Sequence, residues 1–561
     1  MPNYDSSESD YDMSSNDEEC SNDFETDSGS DIIIPSKRLR IISDSSDDEE
    51  VTASASDGDN IDEFLPVNTI FSNESNSFFE VPGPKNAPAS DAKPIEYFNK
   101  FFSNSLFTTM VTETNRYAEQ FLNSGKKLKR RSRSKSWVPV TVTEMRAFVA
   151  VLLEMGITRR PSIHSYWSKD SRNIPWFGKM FSRDRFQLIL NFFHLVDNNN
   201  LAPPGDSGYD PCGKFNFLAD YANKIFREQY TPHRQLSIDE SLVGTHCHSI
   251  IKQYLPNKKH HKWGIKFWMI CDSVSNYCLG FSCYQGAKSS DDKNEINKNG
   301  LGYVVVEKLL SLGNYLNKGY HLFIDNFFTS IHLAKGLLEK NTYLTGTIRR
   351  NRKYIPNEAK FAQVGQPKYF KNDKILMCSF RDKQTKKNPV ILISTNCTTG
   401  NITVTKKKGN FQSVKEKPII IHNYNQFMNG VDESDKMLYT YLDERRTFKY
   451  WKKVVFNIFV RMVLNSYIIY SENCLGKKLT RLQFTSSIIH AIEKEWLASK
   501  NETASPISKK FALEKLPGRN LRQCEVCSKK NGNGIKRSNL ICAVCKKGIH
   551  GVCAAKHSCN K

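Results

Sequence analysis

At Gln235 the hydropathy pattern of this 561-residue chain changes period, and that change limits the fold more than any other feature. QLSIDESLVG alternates apolar and polar residues, and KFWMICDS and YCLGFSCYQ follow it as short runs rich in aromatic and β-branched side chains. Such runs predict strands. VVVEKLLSLGNYL is spaced for a helix, HLFIDNF returns to a strand, and SIHLAKGLLEKN is helical again. Two of the strands end on a carboxylate, Asp239 in LSIDES and Asp325 in HLFIDNFF. If those strands are neighbours, both carboxylates face the end of the sheet where open α/β folds keep their sites.

Three strands, a crossover helix, a strand and a further helix is the element order of a ribonuclease H-like α/β sheet. The rest of the chain divides around it. Residues 1–92, rich in Ser, Asp, Glu and Asn, bury too little apolar surface to offset the entropy of ordering and are expected to form an acidic disordered tail. Residues 93–234 carry Phe98, Phe101, Phe102, Leu106 and Met110 at helical spacing, and Thr141 with Glu144 forms a capping box before MRAFVAVLLEMG. The sheet occupies 235–350, a polar and basic β-rich insertion 351–417, and the second part of the sheet-bearing domain 418–442. Helices resume over 443–498, a linker covers 499–520, and cysteines crowd into 521–561.

Net charge narrows the partner. Residues 1–63 hold 20 Asp/Glu against 3 Lys/Arg, which leaves 77 Lys/Arg against 39 Asp/Glu on the remainder. A body this basic favours a polyanion, most simply nucleic acid. The amino terminus is acidic rather than basic and then apolar, so no secretory signal is expected. VVFNIFVRMVLNSYIIY, the most apolar stretch, is broken by Asn457, Arg461 and Asn465 and reads as a buried core helix rather than a membrane span. Fifteen cysteines without a secretory signal point to reduced thiols, clustered ones serving as metal ligands.

In NYNQFMNGVDESDKMLYTYLDERR, Asp432 and Asp435 stand three apart and share one helix face. Together with Asp239 and Asp325 they supply enough carboxylates for two hard divalent cations. Capping of strand ends and helix starts is the structural alternative for each of them. Basic clusters flank these positions: Lys258, Lys259 and Lys262 between Tyr254 and Trp263, then Arg349, Arg350, Arg352 and Lys353, then Arg445 and Arg446. Charge mixed with rings suits distorted or single-stranded DNA, and solvated faces are the alternative reading. In the tail, Cys524 and Cys527, Cys542 and Cys545, His550 and Cys553, and His557 and Cys559 make up to eight zinc ligands. So short a segment cannot build a sizeable core, and alternating pairs suit a crossed two-zinc finger.

The motifs LSIDESLVG, IIKQYLPNKKHHKWGIKFWMICDS, HLFIDNFFTS, LTGTIRRNRKYIP and NYNQFMNGVDESDKMLYTYLDERR, with the cysteine-rich end, make the chain resemble the piggyBac-like DNA transposases over residues 94–561. The resemblance implies a multidomain protein. A ribonuclease H-like α/β catalytic domain with a β-rich insertion would be flanked by an all-helical DNA-binding and dimerisation domain, with a small zinc-bound cross-brace finger at the end. It implies Asp239, Asp325 and Asp432 as catalytic aspartates, Asp435 as a further acidic residue, and Mg2+ or Mn2+ as cofactor. It implies cut-and-paste transposition of double-stranded DNA at TTAA through a hairpin, by a nuclear homodimer without membrane or small-molecule substrate. The alternative is a domesticated DNA- or chromatin-binding protein. The two-residue spacing of His557 and Cys559 departs from the family's usual ending. Glu240 and Glu433 are expected to point away from the metals, and Asp272 to serve the strand end.

Overall fold

Helical spacing upstream of Gln235 becomes five main helices: α1 (Pro94–Phe101), α2 (Asn104–Asn123), α3 (Val142–Ile157), α4 (Arg183–Phe192) and α5 (Gly213–Gln229). Residues 63–557 are described by the computed structural model, apart from 74–77, 126, 131, 171–172, 248, 257, 259–260, 287–292, 409–410, 446, 448, 504–512, 519 and 529–535. The acidic stretch 1–62, Lys259, Arg446 and Cys559 therefore lie outside the described residues. Two compact units divide the chain between Ile489 and His490.

Side-chain caps fix several helix starts. Ser103 Oγ accepts from the Leu106 N–H at 3.2 Å, and Thr141 Oγ1 from the Glu144 N–H at 3.2 Å. The expected capping box at Thr141 is only half formed, because the Glu144 carboxylate takes two bonds from Arg185, at 2.8 and 2.6 Å. A bidentate charge-assisted pair is stronger than a bond back to a backbone N–H.

Apart from a short antiparallel pair, Gly83–Pro84 with Tyr230–Thr231, the strands of the first unit are β1 (Leu65–Pro66), β2 (Gln235–Gly244), β3 (Lys252–Tyr254), β4 (Trp263–Asp272), β5 (Cys278–Cys283), β6 (His321–Ile324), β7 (Tyr343–Thr347), β8 (Lys368–Asn372), β9 (Ile375–Phe380), β10 (Val390–Ser394), β11 (Asn401–Lys408) and β12 (Phe411–Pro418). Ten of them form one mixed sheet in the order β1-β8-β9-β10-β7-β6-β2-β4-β3, with β5 paired to β4. At its centre β6 runs parallel to both β2 and β7. Helices α6 (Leu301–Leu312) and α7 (Ile331–Glu339) lie in the connections to β6 and β7.

Two expectations fail here. The insertion is not a separate β-rich body: β10 pairs antiparallel with β7, with Ile393 opposite Gly346, so β8 to β10 continue the main sheet. Buried Ile391, Leu392 and Ile393 are apolar enough to belong to that core, and β11 and β12 alone form a separate two-stranded sheet. Order also begins before residue 93. β1 adds to the sheet edge with Leu65 opposite Lys371, Phe64 is buried, and Phe78 packs on Tyr320 with ring centroids 5.1 Å apart. An open edge strand offers backbone partners that composition alone does not reveal.

After the hairpin come α8 (Ile419–Phe427), α9 (Gly430–Thr440) and α10 (Tyr450–Asn473). α10 is long and apolar enough to cross a membrane, yet 83% of its apolar window is buried inside the protein. It packs on α1 and the residue that ends it through Tyr97 against Tyr470 and Phe102 against Phe459, centroids 5.4 and 5.6 Å apart, each ring contributing about 2 kcal/mol by burial. Asn465 of α10 bonds both the N–H and the C=O of Cys278 in β5.

Candidate active site and cysteine-rich tail

The parallel pairing of β2 and β6 sets Ile238 opposite Ile324, so Asp239 and Asp325 each lie one residue beyond the same rung. Asp325 opens a turn: its Oδ1 accepts from the Phe327 N–H at 3.0 Å, and its carbonyl from Thr329 Oγ1 at 2.6 Å. A third element approaches through Gly430. A Cβ there would fall 2.4 Å from Ser237 Oγ and 3.2 Å from Ser273 Cα, so the start of α9 lies against β2 only because residue 430 has no side chain. Asp432 then sits in the first turn of α9 with 60% of its side chain exposed.

Lys258 reaches into this group. Its Nζ donates to the Glu240 carbonyl at 2.9 Å and lies 3.5 Å from Asp432 Oδ1 and 3.8 Å from Glu240 Oε1. Burial pushes the Asp239 carboxyl well above the usual carboxylate range, and the neighbouring Glu240 charge adds to it. Glu240 moves the other way, the attraction of Lys258 and a hydrogen bond with Asp239 outweighing burial. The Glu240 carboxylate thus shares the Lys258 ammonium with Asp432, and its backbone N–H donates to Asp239 Oδ1 at 2.8 Å. Glu433 faces Lys436 on the helix surface at 3.0 Å.

Asp435 has a different surrounding. Its Oδ1 accepts from Arg461 Nη2 at 2.7 Å and from Ser241 Oγ at 3.0 Å, and the Arg461 side chain is only 2% exposed. The sequence signal for this pair was an arginine inside an apolar helix, since a buried guanidinium needs a carboxylate partner. Asp272, at the end of β4, is fully buried; it accepts from the His233 ring at 2.8 Å and from the Val274 N–H at 2.8 Å.

The basic candidates scatter. Lys262 is exposed next to Trp263, whose ring lies 4.7 Å from that of Tyr254. Arg349, Arg350, Arg352 and Lys353 follow β7; Arg352 and Lys353 are exposed, while Arg350 donates to the Lys360 carbonyl at 3.2 Å. Arg445 is paired with Asp443 and bonds the Met155 sulfur at 3.2 Å, so it is engaged inside the protein.

In the second unit, Cys524, Cys527, His550 and Cys553 place one ligand atom each within 4.8 Å of one another, and Cys542, Cys545 and His557 do the same. Among the described residues, groups this tight occur here and not among the aspartates. The His550 Nδ1 lies 3.3 Å from Cys527 Sγ, its other ring nitrogen held at 3.0 Å by the Arg537 carbonyl. His557 Nε2 lies 3.2 Å from Cys545 Sγ. Burial raises the Cys524 and Cys542 thiols, but nearby backbone N–H groups prevail and bring each down to about 6, within reach of the thiolate that metal binding needs.

The chain is similar to known proteins. A family model described as Transposase IS4 matches residues 93–467. Human PiggyBac transposable element-derived protein 3 is 26% identical over 415 residues, 69% of this chain and 63% of that protein. Human PiggyBac transposable element-derived protein 2 is 23% identical over 417 residues, 72% of this chain and 66% of that protein. The chain thus spans less than two thirds of the length of these relatives. A cryo-EM structure of a piggyBac transposase synaptic complex with hairpin DNA shares the fold, with a TM-score of 0.65, 23% identity and coverage of 84% of this chain and 97% of that one. Since the family match takes in well over half of its residues, this chain belongs to the piggyBac-type transposase family.

Proposed function

We propose that this protein is a divalent-metal-dependent DNA transposase that cuts and pastes at TTAA, with Asp239, Asp325 and Asp432 holding Mg2+ or Mn2+. The observation that carries the reading is the convergence of those three carboxylates from β2, the turn after β6 and the first turn of α9. The donor set fits a hard cation, since the oxygens are carboxylate and a positive charge, the Lys258 ammonium, is already held among them. When bound, such metals supply activation of the attacking oxygen and neutralisation of the leaving oxygen. Asp239 and Asp325 keep their places because neighbouring strands fix them, and Asp432 because Gly430 lets its helix meet the sheet. Asp435, occupied by Arg461, holds α9 against α10 and orients Asp432 one turn away.

On this reading the sheet is ribonuclease H-like, and water attack frees a 3′-hydroxyl that forms a hairpin on the flanking strand and later joins a new TTAA. Lys262, Arg352 and Lys353 contact phosphates without reading sequence. Each Cys/His group binds one Zn2+, with Cys559 as the eighth ligand, and the protein acts as a nuclear homodimer on transposon ends. A second reading, a DNA- or chromatin-binding protein that does not transpose, draws on the human relatives being named as transposable element-derived. All four aspartates being present favours the enzyme.

Excision from a plasmid carrying the flanking ends of the protein's own genomic copy separates the two. Wild-type protein is expected to excise at TTAA, and Asp325→Asn to lose at least about a thousandfold, of the order of a displaced catalytic group. No excision by wild type, or equal excision by the variant, ends the enzyme reading.

A further inference from the structure

The Lys258 ammonium lies where a metal would have to be felt. It is within 4 Å of Glu240 and Asp432, bonds the Glu240 carbonyl at 2.9 Å, and keeps 23% of its side chain exposed. Asp239 and Asp435 act on it as well. Of the other cations nearby, Arg461 is committed to Asp435, and Lys266 lies over the Trp268 ring at 3.9 Å while also acting on Glu240. Among the described residues, Lys258 is thus the cation paired with Asp432. An ammonium satisfies carboxylates with one charge and three donors, whereas a divalent ion needs the same oxygens to itself.

We infer that Lys258 is an internal cation that competes with divalent metal for the aspartate site and must withdraw before metal binds. The inference rests on the metal reading proposed above. Its consequence is a coupling between substrates. An ammonium on a flexible stem is a good point-charge partner for phosphate. A DNA phosphate that draws Lys258 away therefore frees Asp432 for metal, and metal binding in turn releases the lysine for DNA; such coupling is reciprocal. A transposase built this way stays poorly metallated, and so inert as a nuclease, until DNA is present. Lys258 is on this view a positioning residue whose first role precedes the chemistry.

The test is Mn2+ binding to the full-length, zinc-saturated protein without DNA, followed by electron paramagnetic resonance of free Mn2+. Lys258→Gln is expected to bind Mn2+ about tenfold more tightly than wild type, and Lys258→Arg, which keeps the charge, to stay within about twofold. Adding Asp432→Asn to Lys258→Gln is expected to remove the gain. Mn2+ is also expected to raise the melting temperature of Lys258→Gln more than that of wild type, which a merely structural lysine would not produce. Equal or weaker binding by Lys258→Gln, with Asp239 still required, overturns the inference and leaves the metal site standing. Failure of Lys258→Gln and Lys258→Met to fold at any Mn2+ concentration assigns the lysine to structure and overturns it too. Mn2+ binding that ignores Asp239→Asn in every variant overturns both this inference and the metal reading beneath it.

Discussion

In the tail, seven cysteine and histidine side chains stand in two groups with ligand atoms within 4.8 Å; in the sheet, Asp239, Asp325 and Asp432 are not drawn so close, and a lysine stands among them. The contrast follows from the ligands. An imidazole or thiol can be neutral when unmetallated, so a group with one lowered thiol, Cys524 or Cys542, carries little internal repulsion, whereas carboxylates repel one another and need a cation between them. Beside the buried ligands Cys524 and Cys542, the described part of the tail buries little apolar surface, chiefly Ile541 and Ile549, so ligand geometry and fold are one thing. The aspartates sit instead on a ten-stranded sheet that stands without them. On the proposed reading, the tail site would be made by its metal, and the aspartate site is a finished scaffold to which metal would come late.

The largest effect that could break this comparison is metal removal. Stripping zinc from the second unit, expressed as residues 490–561, is expected to abolish its cooperative unfolding, since structural zinc contributes about 10 kcal/mol or more to such modules. In the full-length chain the melting transition of the first unit is expected to persist under the same chelator. Circular dichroism of the fragment and calorimetry of the whole protein check both halves. A tail whose spectrum survives chelation, or a first unit that melts with it, would erase the distinction.

How much of this was legible in the sequence depends on whether the signal is local. The apolar runs ending at Asp239 and Asp325 predicted strands carrying carboxylates, but their adjacency was only a condition of that reading, one that the parallel pairing of β2 and β6 meets. The Cys-x2-Cys pairs were equally plain. What stayed hidden was set by partners far along the chain: the edge strand Leu65–Pro66, whose own two residues carry no pattern, and the continuation of the sheet through β10, which depends on the free edge of β7. Lys258 was visible as a charge beside aromatic rings. Its approach to Asp432, 174 residues away, was not.

Asp435 sharpens the comparison on a smaller scale, because its cation, Arg461, is buried in the core of the first unit. Arg461→Met is expected to destabilise the first unit by about 3 kcal/mol, since it strands a carboxylate with Ser241 as its remaining partner. Asp435→Asn is expected to lower stability too, while leaving Mn2+ affinity within about twofold. Urea denaturation and the same Mn2+ titration check these outcomes. A tenfold loss of Mn2+ binding in Asp435→Asn would move the residue from brace to ligand and make the aspartate site more like the tail.

The smallest expected effect concerns a second pre-formed ion pair, His233 with Asp272, which joins the chain before β2 to the end of β4. The hydrogen bond that the His233 ring donates to Asp272, outweighing burial, raises the His233 pKa; burial opposes the fall in Asp272, but the bonds it accepts from the His233 ring and from backbone N–H groups prevail and lower it. The raised histidine adds stability that is fully present below its unfolded value of about 6.5 and is lost as pH rises through its higher folded value. The lowered aspartate adds stability present above about 3.9 and lost as pH falls through its lower folded value. Both contributions are full between about pH 4 and 6.5, and the histidine share, about 1 kcal/mol with His233 partly screened by solvent, fades toward alkaline pH. Melting of the first unit between pH 6 and pH 9 (about 6.5 being the crossover) should therefore fall more in wild type than in His233→Gln. Parallel curves would mean that the pair is held by the sheet rather than helping to hold it, as the aspartates of the metal site are.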